Sequence, residues 1–195
     1  MVRPRAKAVS EVVREPQGSR GPRGLSRGWG MLSQETLKAH LRYDPDTGYW
    51  WRLGTWRKWR LGRRADTRVG SAGYRAVRIF KKQYLAHRLA WFYMTGKWPI
   101  RLDHKNLNKE DNSWNNLREC NQSQNGANSK LNKNNTSGHR GVSFDRGKRR
   151  TKCWKAQIKV RYRYKYLGRY CTKHEAISAY RQAAKIIFGE YARYD

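Results

Sequence analysis

Acidic residues are scarce in this 195-residue chain: 14 Asp and Glu stand against 44 Lys and Arg, for a formal net charge of +30 at pH 7. That balance lies outside the range of ordinary cytosolic enzymes and points to a polyanionic partner, because each cation that neutralises a phosphate releases condensed counterions. Nucleic acid leads among such partners. An anionic membrane ranks behind it, since no apolar run approaches the ~20 residues of a span and no basic segment runs into an apolar signal core. Cysteine is sparse as well. Cys120, Cys153 and Cys171 are odd in number and far apart, so they match neither a disulfide framework nor a CxxC-type zinc site. A reducing, cytoplasmic compartment is the expectation.

What the chain does hold is 37% hydrophobic residues, with nine Trp and twelve Tyr. This is enough to bury the cores of one or two small domains. The charge is uneven. Residues 61 to 100 carry 9 basic and 1 acidic side chain and residues 134 to 195 carry 16 and 4, whereas 101 to 133 carry 6 and 4. That near-neutral window contains Asp103, Glu110, Asp111 and Glu119. Carboxylates repel a polyanion unless a cation lies between, and a metal ion would serve. Glu110 and Asp111 read as solvated loop residues.

Residues 1–30, rich in Gly, Pro, Arg and Ser, read as a disordered basic arm. Ser33 is placed to cap a short helix through Leu37 and Leu41, and Tyr43 to Gly48 make a turn into a strand over Tyr49 to Leu53. Gly73 to Phe80 alternate apolar with basic residues as a strand does; Lys81 to Gln83 then turn and Tyr84 to Ala86 return. Ala86 to Thr95 have helical spacing and stop at Gly96. Residues 121 to 135, dominated by Asn, Gln and Ser, suggest a helix of poor propensity and a linker. Beyond them, Gly141 to Asp145, Cys153 to Tyr162 and Tyr166 to Tyr170 read as three antiparallel strands. Thr172 and Glu175 form a capping box before the apolar stripe Ile177, Tyr180, Ala184 and Phe188.

The segment Leu102-Asp103-His104-Lys105-Asn106, with Asn116 twelve positions after His104 and Asn125 nine after that, resembles the HNH nuclease family in its phage and homing-endonuclease branch. The upstream Tyr84-Leu85-Ala86-His87-Arg88-Leu89-Ala90-Trp91 adds to the likeness. The resemblance implies a ββα-metal unit that hydrolyses DNA phosphodiester bonds to leave 5′-phosphate and 3′-hydroxyl ends. Its residue types suit that chemistry. A neutral imidazole at His104 could deprotonate water, and Asp103 with Asn125 could hold one divalent cation, Mg2+ first and Mn2+ as the alternative. Neighbours on a strand point to opposite faces, so Asp103 and His104 share a site only across the strand end. Asn116 is expected to accept from the His104 Nδ1 through a carbonyl, leaving Nε2 as the base. His87, on an amphipathic helix, is read as accessory, a packing or phosphate-contact residue rather than a ligand.

Residues 136 to 195 resemble an AP2 DNA-binding domain through Arg140-Gly141-Val142, Trp154 to Lys159, Tyr166-Leu167-Gly168, Glu175-Ala176 and Phe188-Gly189. The resemblance implies a three-stranded sheet laid in the major groove with one helix behind it. It assigns DNA contacts to Arg140, Trp154, Lys159 and Tyr166. Arg161 and Arg163, on a basic hairpin, would add phosphate contacts. Ser143 and Tyr166 depart from the residues usual in that family, so its target sequence does not transfer.

The expected fold is α+β: a ββα-metal HNH nuclease unit with preceding β-hairpins, plus an AP2-type three-stranded antiparallel sheet packed on one helix. The expected division is a basic arm over 1–30, a β-rich DNA-contacting region over 31–83, the nuclease unit over 84–132 and the AP2 domain over 133–195. In the first hairpin region Arg57, Lys58, Arg60, Arg63 and Arg64 would lie near phosphate. The expected partner is double-stranded DNA, with no membrane and no obligate protein partner. The expected function is a metal-dependent DNA endonuclease whose C-terminal domain selects the site and can be removed without abolishing slow cutting. The rivals are a non-catalytic DNA-binding regulator on a degenerate nuclease fold and, with charge alone behind it, an RNA-binding protein.

Overall fold

The computed structural model describes residues 32–54, 62–145, 147, 151 and 153–194. The basic arm and Arg57, Lys58 and Arg60 lie outside the described residues. The architecture is mixed α+β, with several small antiparallel sheets and four α-helices among the described residues. Ser33 caps α1 (Gln34–His40) by accepting the Thr36 amide at 3.0 Å. This satisfies one donor of the helix end, which has no intrahelical partner. β1 (Leu41–Tyr43) and β2 (Trp50–Arg52) form a hairpin. Its turn is closed by Asp44, whose carboxylate accepts from the Thr47 hydroxyl and the Asp46 amide.

A second sheet runs β3 (Asp66–Val69), β4 (Tyr74–Ile79) and β5 (Lys82–Leu85). The β4–β5 loop is two residues long, Phe80 and Lys81, both at positive φ (48° and 63°). The return strand therefore starts at Lys82, earlier than alternation suggests. Such primed turns match strand twist, and the register gain offsets the strain at two non-glycine positions. β3 was not anticipated, because Asp66-Thr67-Arg68-Val69 shows no apolar alternation. It pairs at an edge, and its one fully enclosed side chain is a carboxylate held by arginines.

α2 (Ala86–Thr95) ends on Gly96 in the left-handed region (φ 71°), whose N–H reaches the Phe92 carbonyl at 2.9 Å. The next strands, β6 (Leu102–His104) and β7 (Leu117–Glu119), pair antiparallel, with Asp103 opposite Arg118 and His104 opposite Leu117. α3 (Gln122–Ala127) follows, capped reciprocally by Asn121 and Gln124, which compensates for its Asn, Ser and Gly content.

The C-terminal sheet has the order β10 (Arg163–Tyr170), β9 (Trp154–Val160), β8 (Val142–Phe144). It packs on α4 (Lys173–Phe188), whose N-terminus carries the full Thr172–Glu175 capping box. Ala156 and Ile158 of β9 meet Ala176, Tyr180, Ala184 and Phe188 of α4 in one core. The other core joins Leu37, Leu41, Trp50, Val77, Leu89 and Leu117. Burial of such side chains contributes roughly 1.5–3 kcal/mol each. This core draws on residues from both sides of position 84, so the early hairpins and α2 stabilise each other. Ala127, the last residue of α3, belongs to the C-terminal core. No helix among the described residues is long and apolar enough to cross a membrane.

Candidate active site on the paired strands

Asp103 and His104 end β6 and are both buried, at 5% and 6% exposure. Asp103 uses one oxygen heavily. Its Oδ2 accepts from Arg118 Nε at 3.0 Å, Arg118 Nη2 at 2.9 Å and Asn128 Nδ2 at 2.8 Å. These charge-assisted bonds fix the carboxylate, and its Oδ1 receives no hydrogen bond from the described residues. Asn128, just past α3, also donates to the His104 carbonyl at 3.0 Å and so ties both residues to the helix.

The His104 ring is held from the loop between β6 and β7. Its Nε2 lies 3.2 Å from Asn112 Oδ1. The Asn112 Nδ2 donates to the Glu110 carbonyl at 3.3 Å, which leaves Oδ1 as the acceptor facing the ring. Nε2 therefore carries the proton, and Nδ1 keeps the lone pair. Asn112 is fully enclosed, and its carbonyl accepts the Tyr43 hydroxyl at 2.7 Å. Gly48 (φ +72°) lies against the backbone of Asn112 and Ser113, and Trp114 N–H donates to the Pro45 carbonyl at 2.7 Å. The first hairpin is thus the wall against which the loop is set.

Asn116 acts on this loop rather than on the ring. Its carbonyl, expected to face His104 Nδ1, accepts the Lys105 amide at 2.9 Å, because the β6–β7 pairing runs one step past the strand ends. Its side chain accepts from Asn106 N at 3.0 Å and donates to the Asp111 carbonyl at 2.7 Å, closing the loop on itself. Asn125 is half-buried on α3, and its side-chain amide is engaged by no described residue. It lies one turn before Asn128, and positions three apart share a helix face. Of the two, Asn128 is the one that bonds Asp103.

Burial lowers the His104 pKa below that of a free imidazole, a shift that the Asn112 hydrogen bond and the Asp103 charge partly oppose. The ring is therefore neutral at neutral pH. His87 packs edge-on to it, with centroids 5.0 Å apart, and is itself pushed down to about 3, mainly by burial. Its Nδ1 is enclosed without a partner. The accessory reading of His87 gains a definite form here: an uncharged ring packed against the ring of His104.

Two of the other carboxylates of the near-neutral window, Glu110 and Asp111, are engaged within the protein. Glu110, read as solvated, meets Arg68 at 3.1 Å and Arg75 at 3.9 Å. Asp111 accepts from Asn106, Ser113 N and Ser113 Oγ, and lies below the usual carboxylate range. Arginine pairing at Glu110 and loop hydrogen bonds at Asp111 thus offset the charge of these two carboxylates without a metal.

Among the described residues no group of three His, Cys, Asp or Glu could hold a metal ion. The sequence-assigned ligands are of one kind, an Asp103 carboxylate with Oδ1 unengaged and the amide oxygen of Asn125, and no described hydrogen bond links the two. Two hard oxygen donors fit a cation that keeps most of its water, as Mg2+ does, and do not fit a thiolate or imidazole metal.

On the C-terminal sheet, β9 alternates. Trp154, Ala156 and Ile158 face α4, while Lys155, Gln157 and Lys159 face away. Trp154 is partly buried against that core and edge-on to Phe144, so it stands on the helix side rather than on the open face. Arg140 is engaged by α3: its guanidinium donates to the Gly126 carbonyl, the Ser129 hydroxyl and the Ser129 carbonyl. Lys159, Arg161, Arg163 and Tyr166 are exposed; Tyr164, opposite Lys159, and Tyr166, opposite Gln157, stand on the open face with Lys159, while Arg163 lies opposite Val160. Arg161 N also donates to Ser123 Oγ at 2.8 Å.

Asn112, Arg118 and Asn128 went unassigned in the sequence reading. Asn128 had a signal, its i+3 spacing from Asn125. Asn112 and Arg118 had none, since their roles depend on a loop path and a strand register.

A model of the HNH endonuclease family matches residues 84–127, the stretch from the end of β5 to the last residue of α3. No curated protein and no solved structure matches this chain. The matched segment contains Asp103, His104, Asn112, Asn116, Arg118 and Asn125; over this stretch the chain is similar to HNH endonucleases, a likeness that supports a nuclease-type enzyme.

Proposed function

We propose that the chain is a metal-dependent DNA endonuclease that hydrolyses phosphodiester bonds at the β6–β7–α3 unit. The observation that carries the reading is the pair at the end of β6. It comprises a neutral His104 with its proton pinned on Nε2 and an adjacent Asp103 with one oxygen fixed and the other unengaged.

In this reading His104 Nδ1 takes the proton from the attacking water, and Asn112 stabilises the imidazolium that forms by accepting from Nε2. Asp103 and Asn125 would hold a divalent ion, with Mg2+ first and Mn2+ as the alternative. When bound, such an ion supplies Lewis-acid stabilisation of the charge that develops on phosphate. Asn116 keeps the loop closed so that Asn112 stays on the ring, and His87 presents an uncharged ring to one side of His104.

The C-terminal sheet supports a DNA-holding role of the AP2 kind by its chemistry: Lys159, Arg161 and Arg163 for phosphate, with Tyr164 and Tyr166 as exposed aromatic faces. Arg140 and Trp154 act inside the protein in this arrangement, as a clamp on α3 and as core. Double-stranded DNA is the substrate, and Mg2+-dependent plasmid cleavage tests the proposal. Wild type cuts with Mg2+ and not with EDTA, and His104→Ala cuts about 10²–10⁴-fold more slowly. Wild-type protein that binds DNA but shows no metal-dependent cutting would favour the regulator instead.

A further inference from the structure

The short 3-10 turn Gly189–Tyr191, at the end of α4, lies against β7. Arg118 is the point of contact. Two of its nitrogens hold Asp103 Oδ2, and the third, Nη1, donates to the Glu190 carbonyl at 2.9 Å. The Tyr191 ring covers the guanidinium, its centroid 4.1 Å from Cζ. The Tyr191 hydroxyl donates to the Glu119 carbonyl at 2.8 Å, one residue further along the same strand. Arg118 is thereby fixed in its plane by three hydrogen bonds and covered on one face by an aromatic ring. A planar fork held this way presents a carboxylate with a single orientation.

We infer that the Glu190–Tyr191 turn is a positioning element of the nuclease site. It locks Arg118, and Arg118 keeps Oδ2 of Asp103 occupied and Oδ1 turned to whatever binds there. The C-terminal domain is then a working part of the catalytic unit as well as its DNA holder. Because Ala127 of α3 is rooted in the C-terminal core, that domain supports both flanks of Asp103. The inference rests on the reading of Asp103 as the working carboxylate. On this inference, removing residues 136–195 should abolish cutting, where the sequence led to the expectation that slow cutting survives.

The test uses the full chain with Tyr191→Ala and Tyr191→Phe, the latter keeping the ring over Arg118. Three quantities are read: Mn2+ binding by electron paramagnetic resonance, DNA affinity in EDTA, and solvent exchange of the Arg118 Nε–H by NMR. Tyr191→Ala should weaken Mn2+ binding about tenfold, the cost typical of lost outer-shell support. It should also speed Nε–H exchange and leave DNA affinity unchanged, with Tyr191→Phe near wild type in all three. If Tyr191→Ala does not stay folded, Tyr191→Leu, which keeps apolar volume without a π face, is read in the same way. Wild-type Mn2+ binding and exchange in the Ala or Leu variant would overturn the inference. A wild-type protein that neither binds Mn2+ nor cuts would instead defeat the nuclease reading. In that case the Nε–H exchange alone decides the coupling: faster exchange upholds it and unchanged exchange overturns it.

Discussion

His104 Nε2 lies 3.2 Å from Asn112 Oδ1, and Asn112 in turn receives the Tyr43 hydroxyl on its carbonyl oxygen at 2.7 Å. A residue of the first hairpin is thereby connected to the candidate base through one buried asparagine, whose backbone carbonyl meets Tyr43 and whose side chain meets His104. Asn112→Ala would leave the Nε2 proton enclosed without an acceptor and free the ring to turn. Cleavage should fall about 10²-fold, the cost of a misplaced reacting group. Stability should fall by about 1–3 kcal/mol, while DNA affinity in EDTA is unchanged. Single-turnover cleavage and denaturant melts on the same samples check this.

Gly48 should tolerate no side chain. It sits at φ +72°, and a Cβ there would strike the backbone of Asn112 and Ser113, atoms that cannot move aside as a flexible side chain can. Gly48→Ala should therefore destabilise by more than ~1 kcal/mol and displace the Asn112 loop. In a cleavage assay at a temperature where the variant remains folded, the rate should still be reduced. A rate equal to wild type would show that the loop position is immaterial.

Asp66 makes the early sheet acid-sensitive. Its side chain is fully enclosed; burial alone would raise its pKa, and the hydrogen bonds and charges of Arg64 and Arg75 outweigh that and bring it below the usual carboxylate range. A folded-state pKa below the unfolded value of about 3.9 means that the contribution is complete above that value and is lost as pH falls through the folded one. Asp66→Asn should cost about 3 kcal/mol at pH 7. It should also flatten the stability curve below about pH 4, as measured by urea unfolding across pH.

The two faces of β9 should separate by assay. Lys159→Ala, on the open face, should reduce the salt dependence of DNA binding by about one unit of slope without changing the melting temperature. Trp154→Ala, on the helix side, should lower the melting temperature and leave the salt slope alone. The opposite pattern would place the DNA on the α4 side of the sheet.

Much of the fold was legible in the sequence wherever the signal was local. The Ser33 cap, the Gly96 stop and the Thr172–Glu175 box each involve residues within a few positions of one another, and all formed as read. β3 was not legible, because an edge strand of mixed polar residues carries no period. The β4–β5 turn came early because strand twist, not composition, selects a two-residue loop.

The residue types of the candidate site, Asp103 and His104 with Asn116 and Asn125 at their spacings, were determined by the sequence alone, as was the +30 charge that calls for a polyanion. Tertiary structure decided who holds whom. Asn112 rather than Asn116 meets the imidazole, Arg118 and Asn128 occupy one oxygen of Asp103, and Glu190 and Tyr191 hold Arg118 from more than 70 positions along the chain. The reason is physical. A cap or a turn depends on dihedrals within one stretch of backbone, whereas a buried hydrogen bond depends on which surfaces two cores press together. No spacing along the chain encodes that.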